Sequence, residues 1–354
     1  MTTGGRGPRP LVVPIFLPNA GCPNRCIFCN QRIITGEAFS LPSPSRIRKT
    51  IDSFLKHSRP RPSVEIAFFG GTFLGLPEES IRILLEKAAR FVSEGRADGI
   101  RFSTRPETVD QRRMSWIRPF PVKTVELGVQ SLDDRVLAGC LRGHTAADAT
   151  EAVSRLRAEG HRIGLQLMIG LPGQDKLSVL ETARKVVELG PDFVRIYPTL
   201  VLEDSPLADL YRSGRYVPLT LEEAVSQAAA VYRMLEQGGV AVIRMGLQET
   251  DGLRTQGRVL AGPHHPAFGE LARSAAVYSQ VESALDRIGV SGGKVKIAVH
   301  PARESQLRGQ ENRNLQKLKD RFALSAAAAE KDAGLDRHWI RVETGGQPLQ
   351  VRIY

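Results

Sequence analysis

The sequence predicts an α/β fold on a parallel sheet, and three observations carry that expectation. Short β-branched runs alternate with longer amphipathic stretches, glycines close most of those stretches, and the alternation repeats six or seven times. Strict strand–helix alternation calls for parallel strands joined by helical crossovers. Strands are expected at residues 11–17, 64–69, 100–104, 124–129, 163–169 and 193–198, with 240–245 as a seventh. Helices are expected at 45–57, 77–93, 109–116, 133–140, 145–158, 176–189 and 221–237. Thr220 ahead of Glu222 and Glu223, and Thr145 ahead of Asp148, are helix-start signals. Gly95, Gly160, Gly190 and Gly238 mark helix ends. The pattern fits a doubly wound sheet or a full or partial (β/α) barrel. In a barrel, functional residues gather at the C-terminal ends of the strands. Cys22, Gly70, Gly71, Ser103, Gln130, Gly170 and Thr199 all fall at or just after such ends.

The pattern changes after Gly252. Residues 261–269 are rich in turn formers and read as a loop carrying His264 and His265. Beyond it come an expected helix at 271–288, a strand at 294–300, a basic helix at 312–322 and strands at 339–343 and 349–353. The alanine-rich stretch 324–329 reads as a short helix-favouring piece. The chain therefore divides into residues 1–252 and a small α+β unit over 253–354. No internal repeat is evident.

Of the 354 residues, 42% are hydrophobic and 25% charged, the balance of a globular protein able to bury a large core without staples. Four cysteines are too few for a disulfide scaffold, and clustered thiols point to a reducing compartment. The apolar run at 11–17 is too short for a signal-peptide core or a membrane span, so a cytoplasmic protein with no membrane partner is expected. The formal net charge is +11, dominated by arginine, and the pI near 9.8 suits a nucleic-acid partner. Arginine-favouring codon usage gives the same excess, and no single basic stripe stands out in the sequence.

Three of the four cysteines, Cys22, Cys26 and Cys29, stand in a Cys-x3-Cys-x2-Cys run. Three thiolates hold a four-iron cluster and leave one iron without a protein ligand. A structural zinc site would want a fourth ligand, and Cys140 is distant in sequence, with no histidine close to the run. Phe69-Gly70-Gly71-Thr72-Phe73 follows the second strand directly, where glycines let a ligand approach the backbone.

Taken together, these residues resemble the radical S-adenosylmethionine (SAM) superfamily. The resemblance implies a partial (β/α)6 TIM-type radical SAM barrel with the small C-terminal α+β domain appended. It implies that Cys22, Cys26 and Cys29 ligate a [4Fe–4S] cluster whose open iron binds SAM. Reductive cleavage would then release a 5′-deoxyadenosyl radical that abstracts hydrogen from substrate. The segments 102–107, 125–131, 142–145, 170–173, 196–201 and 211–216 further resemble the radical SAM domain of the Elongator catalytic subunit, over roughly residues 11–250. That likeness implies modification of the wobble uridine of transfer RNA. No pyrophosphate loop for coenzyme A is found in the hundred or so residues after the barrel, which leaves acetyl-CoA use open.

Carried across by position, Gly70, Gly71 and Thr72 would meet the methionine moiety of SAM. Ser103, Gln130 and Arg142 would reach the ribose or carboxylate, and Gln166 and Met168 would line the adenosine. An electron donor such as flavodoxin or ferredoxin is implied. The oxygen-independent coproporphyrinogen oxidases share part of this pattern, so tetrapyrrole or other small-molecule oxidation is the alternative, followed by a non-catalytic Fe–S or haem-binding module. Cys140 reads either as a buried small hydrophobe or as a group at the barrel mouth. His264 and His265 read as loop histidines or general acids. The basic stretch 300–314 with Lys317, Lys319 and Arg321 reads as a solvated helix face or a phosphate contact.

Overall fold

The computed structural model describes residues 10–23, 25–37, 41–56, 61–345 and 348–354. The N-terminal residues 1–9 and His57, the expected end of the first helix, lie outside the described residues. Seven strands form one parallel sheet: β1 (Leu11–Phe16), β2 (Val64–Phe69), β3 (Gly99–Thr104), β4 (Val122–Gln130), β5 (Arg162–Ile169), β6 (Phe193–Pro198) and, after a short β7 (Val201–Leu202), β8 (Ala241–Met245). Their order in the sheet is β1-β2-β3-β4-β5-β6-β8, with every pair parallel. A doubly wound sheet would reverse its order at a switch point. This one never reverses and is the curled half-barrel of the (β/α) type, open between β1 and β8.

Alternation along each strand decides what faces where. Val125, Leu127 and Val129 of β4 join the apolar core beneath the helices, as do Ile163, Leu165 and Leu167 of β5. The intervening residues point into the half-barrel, and Thr124, Glu126, Gln130 and Gln166 among them are polar. Glu126 is fully buried there and accepts hydrogen bonds from Arg195 Nε at 2.8 Å, Arg101 Nη1 at 2.9 Å and Gln166 Nε2 at 3.0 Å. Glu65 accepts from Arg101 Nε at 2.9 Å and Thr124 Oγ1 at 2.6 Å. Two carboxylates and two guanidiniums therefore stitch β2, β3, β4 and β6 together from inside. Burial alone would raise the pKa of Glu126, but the charges and hydrogen bonds of Arg195 and Arg101 outweigh it and hold the carboxyl below its ordinary range.

Capping follows the sequence signals. Thr145 with Asp148 and Thr220 with Glu223 form capping boxes at the helices Ala146–Ala158 and Leu221–Gln237. The first crossover helix runs Pro44–Lys56 and buries Ile47 and Ile51.

β9 (Val259–Ala261) pairs antiparallel with β7. The expected loop at 261–269 is thus shorter: Ala261 ends a strand, and Phe268 begins the helix Phe268–Arg287. The second sheet is β10 (Lys294–Val299), β11 (Ala326–Lys331), β12 (Trp339–Glu343) and β13 (Leu349–Arg352), in the order β11-β10-β12-β13. The alanine-rich stretch read as helix-favouring is a strand instead. Ala326–Lys331 pairs in parallel with β10, and Ala327 and Ala329 pack on a second core, so ladder and burial override helix propensity. The helix Phe268–Arg287 joins the two cores: Ala272 and Ala276 belong to the first, Val277, Val281 and Leu285 to the second. No helix among the described residues is long and apolar enough to cross a membrane.

Glu126→Ala strands the Arg195 guanidinium and leaves Arg101 with Glu65 alone; it is expected to cost about 3–5 kcal/mol, read by chemical denaturation. Because the folded-state pKa of Glu126 is depressed, its contribution is present above the unfolded carboxylate value, near pH ~4.3, and is lost as pH falls below it. The wild-type denaturation midpoint should therefore drop in acid more steeply than that of Glu126→Gln.

Candidate active site

The cysteine arm leaves the C-terminal end of β1 and is held by the turn that leaves β2. Leu17 N donates to Phe69 O at 2.7 Å, Asn19 N to Gly70 O at 2.8 Å and Thr72 N to Ala20 O at 2.9 Å. Gly70 takes φ 91°, where a side chain is strained. At Gly71 a β-carbon would lie 2.4 Å from Ala20 O and 2.6 Å from Leu17 O, and at Gly75 one would lie 2.1 Å from Gly21 O. These glycines admit the backbone of the cysteine arm itself. A ligand is not what demands their size at these points.

The three sulfurs each meet hydrogen-bonding side chains. Cys22 Sγ lies 3.2 Å from Thr72 Oγ1. Cys29 Sγ faces Gln31 Nε2 at 3.6 Å and Asn19 Nδ2 at 3.8 Å. Cys26 Sγ, buried, accepts from Arg142 Nη1 at 3.0 Å, with Arg105 Nη1 at 3.8 Å. Arg142 also donates through Nη2 to Gly128 O. Burial pushes the Cys29 thiol up to about 11, with Cys26 adding to the effect. Burial also raises Cys22, against the Thr72 hydrogen bond.

Four buried polar atoms of this group have no hydrogen-bond partner among the described residues, Arg105 Nη2, Glu107 Oε2, Arg142 Nε and His144 Nδ1, although His144 Nδ1 lies 3.6 Å from Glu107 Oε2. His144 gives its Nε2 side to Val129 O at 3.2 Å. Burial, and then the charges of Arg142 and Arg105, hold its pKa down to about 3, so the ring is neutral and its Nδ1 is an open acceptor.

Gln130 ends β4 at φ 67°, where the β4–β5 register shifts, and Ser103 is buried opposite Glu126 on β3. Gln166 gives its amide N–H to Glu126. Met168 packs with Cys29, Ile27 and Leu171 in an apolar cluster that also holds Cys140 and Tyr216. Cys140 is fully buried there; its carbonyl accepts from Ile27 N at 3.3 Å, and burial pushes its thiol up to about 12. His264 lies apart from this group, its Nε2 2.9 Å from Glu249 Oε1, and His265 caps Ala267 N through Nδ1. Sequence reasoning did not single out Asn19, Gln31, Arg105, Glu107 or His144. Arg105 and His144 stand in the segments 102–107 and 142–145, where the residues beside them drew the attention.

A seven-strand half-barrel with a three-cysteine arm at its C-terminal face defines a class. The family model described as the radical SAM superfamily matches residues 16–186, and a radical SAM C-terminal domain model matches 191–277. The chain belongs to the radical SAM superfamily and is an enzyme, and a [4Fe–4S] cluster and SAM are its cofactors. Among curated proteins it is similar to the tRNA uridine(34) acetyltransferase of Dehalococcoides mccartyi, at 27% identity over 66% of this chain and 61% of that one. It is 27% identical to the enzyme of the same description from Methanocaldococcus jannaschii, over 60% of this chain and 47% of that one. The mouse Elongator complex protein 3 is 28% identical over 52% of this chain and 39% of that one. The chain thus spans from about two fifths to three fifths of these relatives' lengths. A solved structure of Methanocaldococcus infernus Elp3, lacking its N-terminus, shares the fold with a TM-score of 0.61 at 21% identity, covering 80% of this chain and 64% of that one.

The residues present fit these cofactors. The unpartnered arginine and histidine nitrogens beside Cys26 supply donors and an acceptor for a polar ligand.

Gly71→Ala and Gly75→Ala should each push the arm off the β2 turn. A loss of about 1–3 kcal/mol is expected, together with lower iron and sulfide per chain in colorimetric assay.

Proposed function

We propose that this enzyme modifies transfer RNA, with Cys22, Cys26 and Cys29 holding the cluster and SAM seated across the ends of β2 to β5. When bound, the two groups supply one-electron cleavage of the sulfonium and so a carbon-centred oxidant that takes hydrogen from substrate. The chain's own part is binding, orientation and shielding. Thr72, Gln31 and Asn19 direct N–H or O–H groups at the outer sulfurs, and Arg142 sets a positive charge on the innermost. On this reading the backbone of Gly70, Gly71 and Thr72 meets the methionine moiety. Ser103, Gln130 and Arg142 serve the ribose or carboxylate. Gln166 and Met168 line the adenosine; the Gln166 N–H is already committed to Glu126, which leaves its carbonyl oxygen for the ligand. Residues 1–252 carry this chemistry and 253–354 are accessory. A cytoplasmic setting and a flavodoxin- or ferredoxin-type donor belong to the same reading.

The single observation that carries it is the convergence of three hydrogen-bonded sulfurs and two buried arginines at the C-terminal face of the half-barrel. The transfer RNA assignment draws support from the curated relatives and from the net charge of +11.

Anaerobically reconstituted protein should release 5′-deoxyadenosine from SAM under a strong reductant, and Cys26→Ala should abolish both iron binding and that release. Mass spectrometry of transfer RNA from a deletion strain should show a wobble-uridine nucleoside missing, restored by the wild-type gene and not by Cys26→Ala. Unchanged nucleosides would remove the RNA assignment. Zinc in place of iron and sulfide would remove the reading as a whole.

A further inference from the structure

We infer that the solvent face of the helix Pro44–Lys56 is the surface on which this enzyme docks its RNA; the inference rests on the transfer RNA reading above. Arg46, Lys49, Ser53 and Lys56 follow one another at steps of three and four residues and share one face, opposite the buried Ile47 and Ile51. The run is about 15 Å long. The helix carries four cations, Arg46, Arg48, Lys49 and Lys56, and a single carboxylate, Asp52.

Carboxylates are scarce on this face. Some surface arginines elsewhere sit in carboxylate ladders. Arg82 is held by Glu79 at 2.7 Å and Glu86 at 2.6 Å, and Arg184 by Glu181 at 2.6 Å and by Glu188. The basic helix Arg313–Arg321, read from sequence as either a solvated face or a phosphate contact, is also largely satisfied. Arg321 meets Glu282 at 3.2 Å and Asp286 at 3.1 Å, Arg313 meets Glu311 at 3.5 Å, and Lys317 meets Glu222 at 3.8 Å. On the helix Pro44–Lys56 the one carboxylate is spent sideways: Asp52 holds Arg96 at 2.6 Å and Arg48 at 3.7 Å. Among the described residues Lys49 and Lys56 have no ion-pair partner.

The face also connects to the site. Arg46 pairs with Glu37, two residues past the helix Gln31–Thr35, whose first residue donates to Cys29 Sγ. The basic face therefore starts at the arm that carries the cysteines and runs down the outer edge of the half-barrel. A polyanion seated along it reaches the mouth with one end. Phosphates satisfy lysines as point charges without a fixed register. That suits an RNA stem whose reactive base sits elsewhere.

The test compares Lys49→Glu/Lys56→Glu with Lys294→Glu/Lys319→Glu, an equal charge change at exposed lysines of the C-terminal unit. Binding of unmodified transfer RNA to cluster-loaded protein is followed by fluorescence anisotropy across a salt series. Melting temperature and iron content are checked alongside, and Lys49→Ala/Lys56→Ala stands in should the reversal variant fold poorly. The first pair should weaken binding at least tenfold at low salt and lower the slope of log K against log salt by about 1–2, at roughly 0.9 per phosphate neutralised. The second pair should stay within about twofold of wild type. Equal losses in both pairs would mean bulk charge alone and overturn the assignment, as would no loss in the first. Intact RNA binding with slower reduction by flavodoxin in the first pair would overturn it too and give the face to an acidic redox protein. A wild-type protein that ignores transfer RNA altogether takes down the RNA reading, and this surface with it.

Discussion

One close approach of backbone to backbone sets the position of everything else. The arm bearing three cysteines and the turn after β2 exchange hydrogen bonds in both directions, Asn19 to Gly70 and Thr72 to Ala20. They come close enough that no β-carbon fits at Gly71 or Gly75. The contact puts Thr72 beside Cys22 and seats the arm over β1 and β2. Its far end is fixed separately, by Ile27 N on Cys140 O, Leu207 N on Ile27 O and Asn30 Nδ2 on Glu203 O. An arm pinned at both ends presents its sulfurs without paying the entropy of ordering a free loop at each binding event.

Two electrostatic layers lie one above the other in the half-barrel. The lower is closed: Glu65 and Glu126 balance Arg101 and Arg195, and the four hold the strands in place. The upper is open. Arg105 and Arg142 face Cys26 with only Glu107 against them, and several of their polar atoms are unpartnered. A buried network left incomplete is costly in a purely structural role. On the proposed placement of the cluster and SAM, the incompleteness sits where thiolates and a zwitterionic ligand bring charge, so that binding completes what folding leaves undone.

The strand–helix alternation was legible because parallel strands buried on their outer face read as apolar runs, and all seven strands of the main sheet sit where periodicity puts them to within two residues. The cysteine spacing was legible because it is local. Arg105, His144, Asn19 and Gln31 were not, because their importance comes from which loops the sheet brings together at one end. The strand at Ala326–Lys331 was missed for the opposite reason. Its residues favour helix locally, and only pairing with β10 makes it a strand. The ribbon of β7 and β9 joins segments more than fifty residues apart, with two residues in one strand and three in the other, too short for any periodic signal.

Net charge was the least informative quantity in the sequence, and the structure shows why. An arginine excess says nothing about position, and this chain spends arginines on three distinct tasks. Some brace the interior, as Arg101 and Arg195 do. Some lie in surface ladders with carboxylates three or four residues away, as Arg82 and Arg184 do, each with two carboxylates, and these offer no net positive charge. Others face sulfur with little compensation. Pairing removes a cation and a carboxylate together, so the excess of +11 survives the ladders, and what remains is uneven. A polyanion responds to that remainder, because only an uncompensated cation can replace the counterions condensed on its phosphates. The distribution of carboxylates, more than the number of arginines, therefore determines where this protein presents uncompensated positive charge.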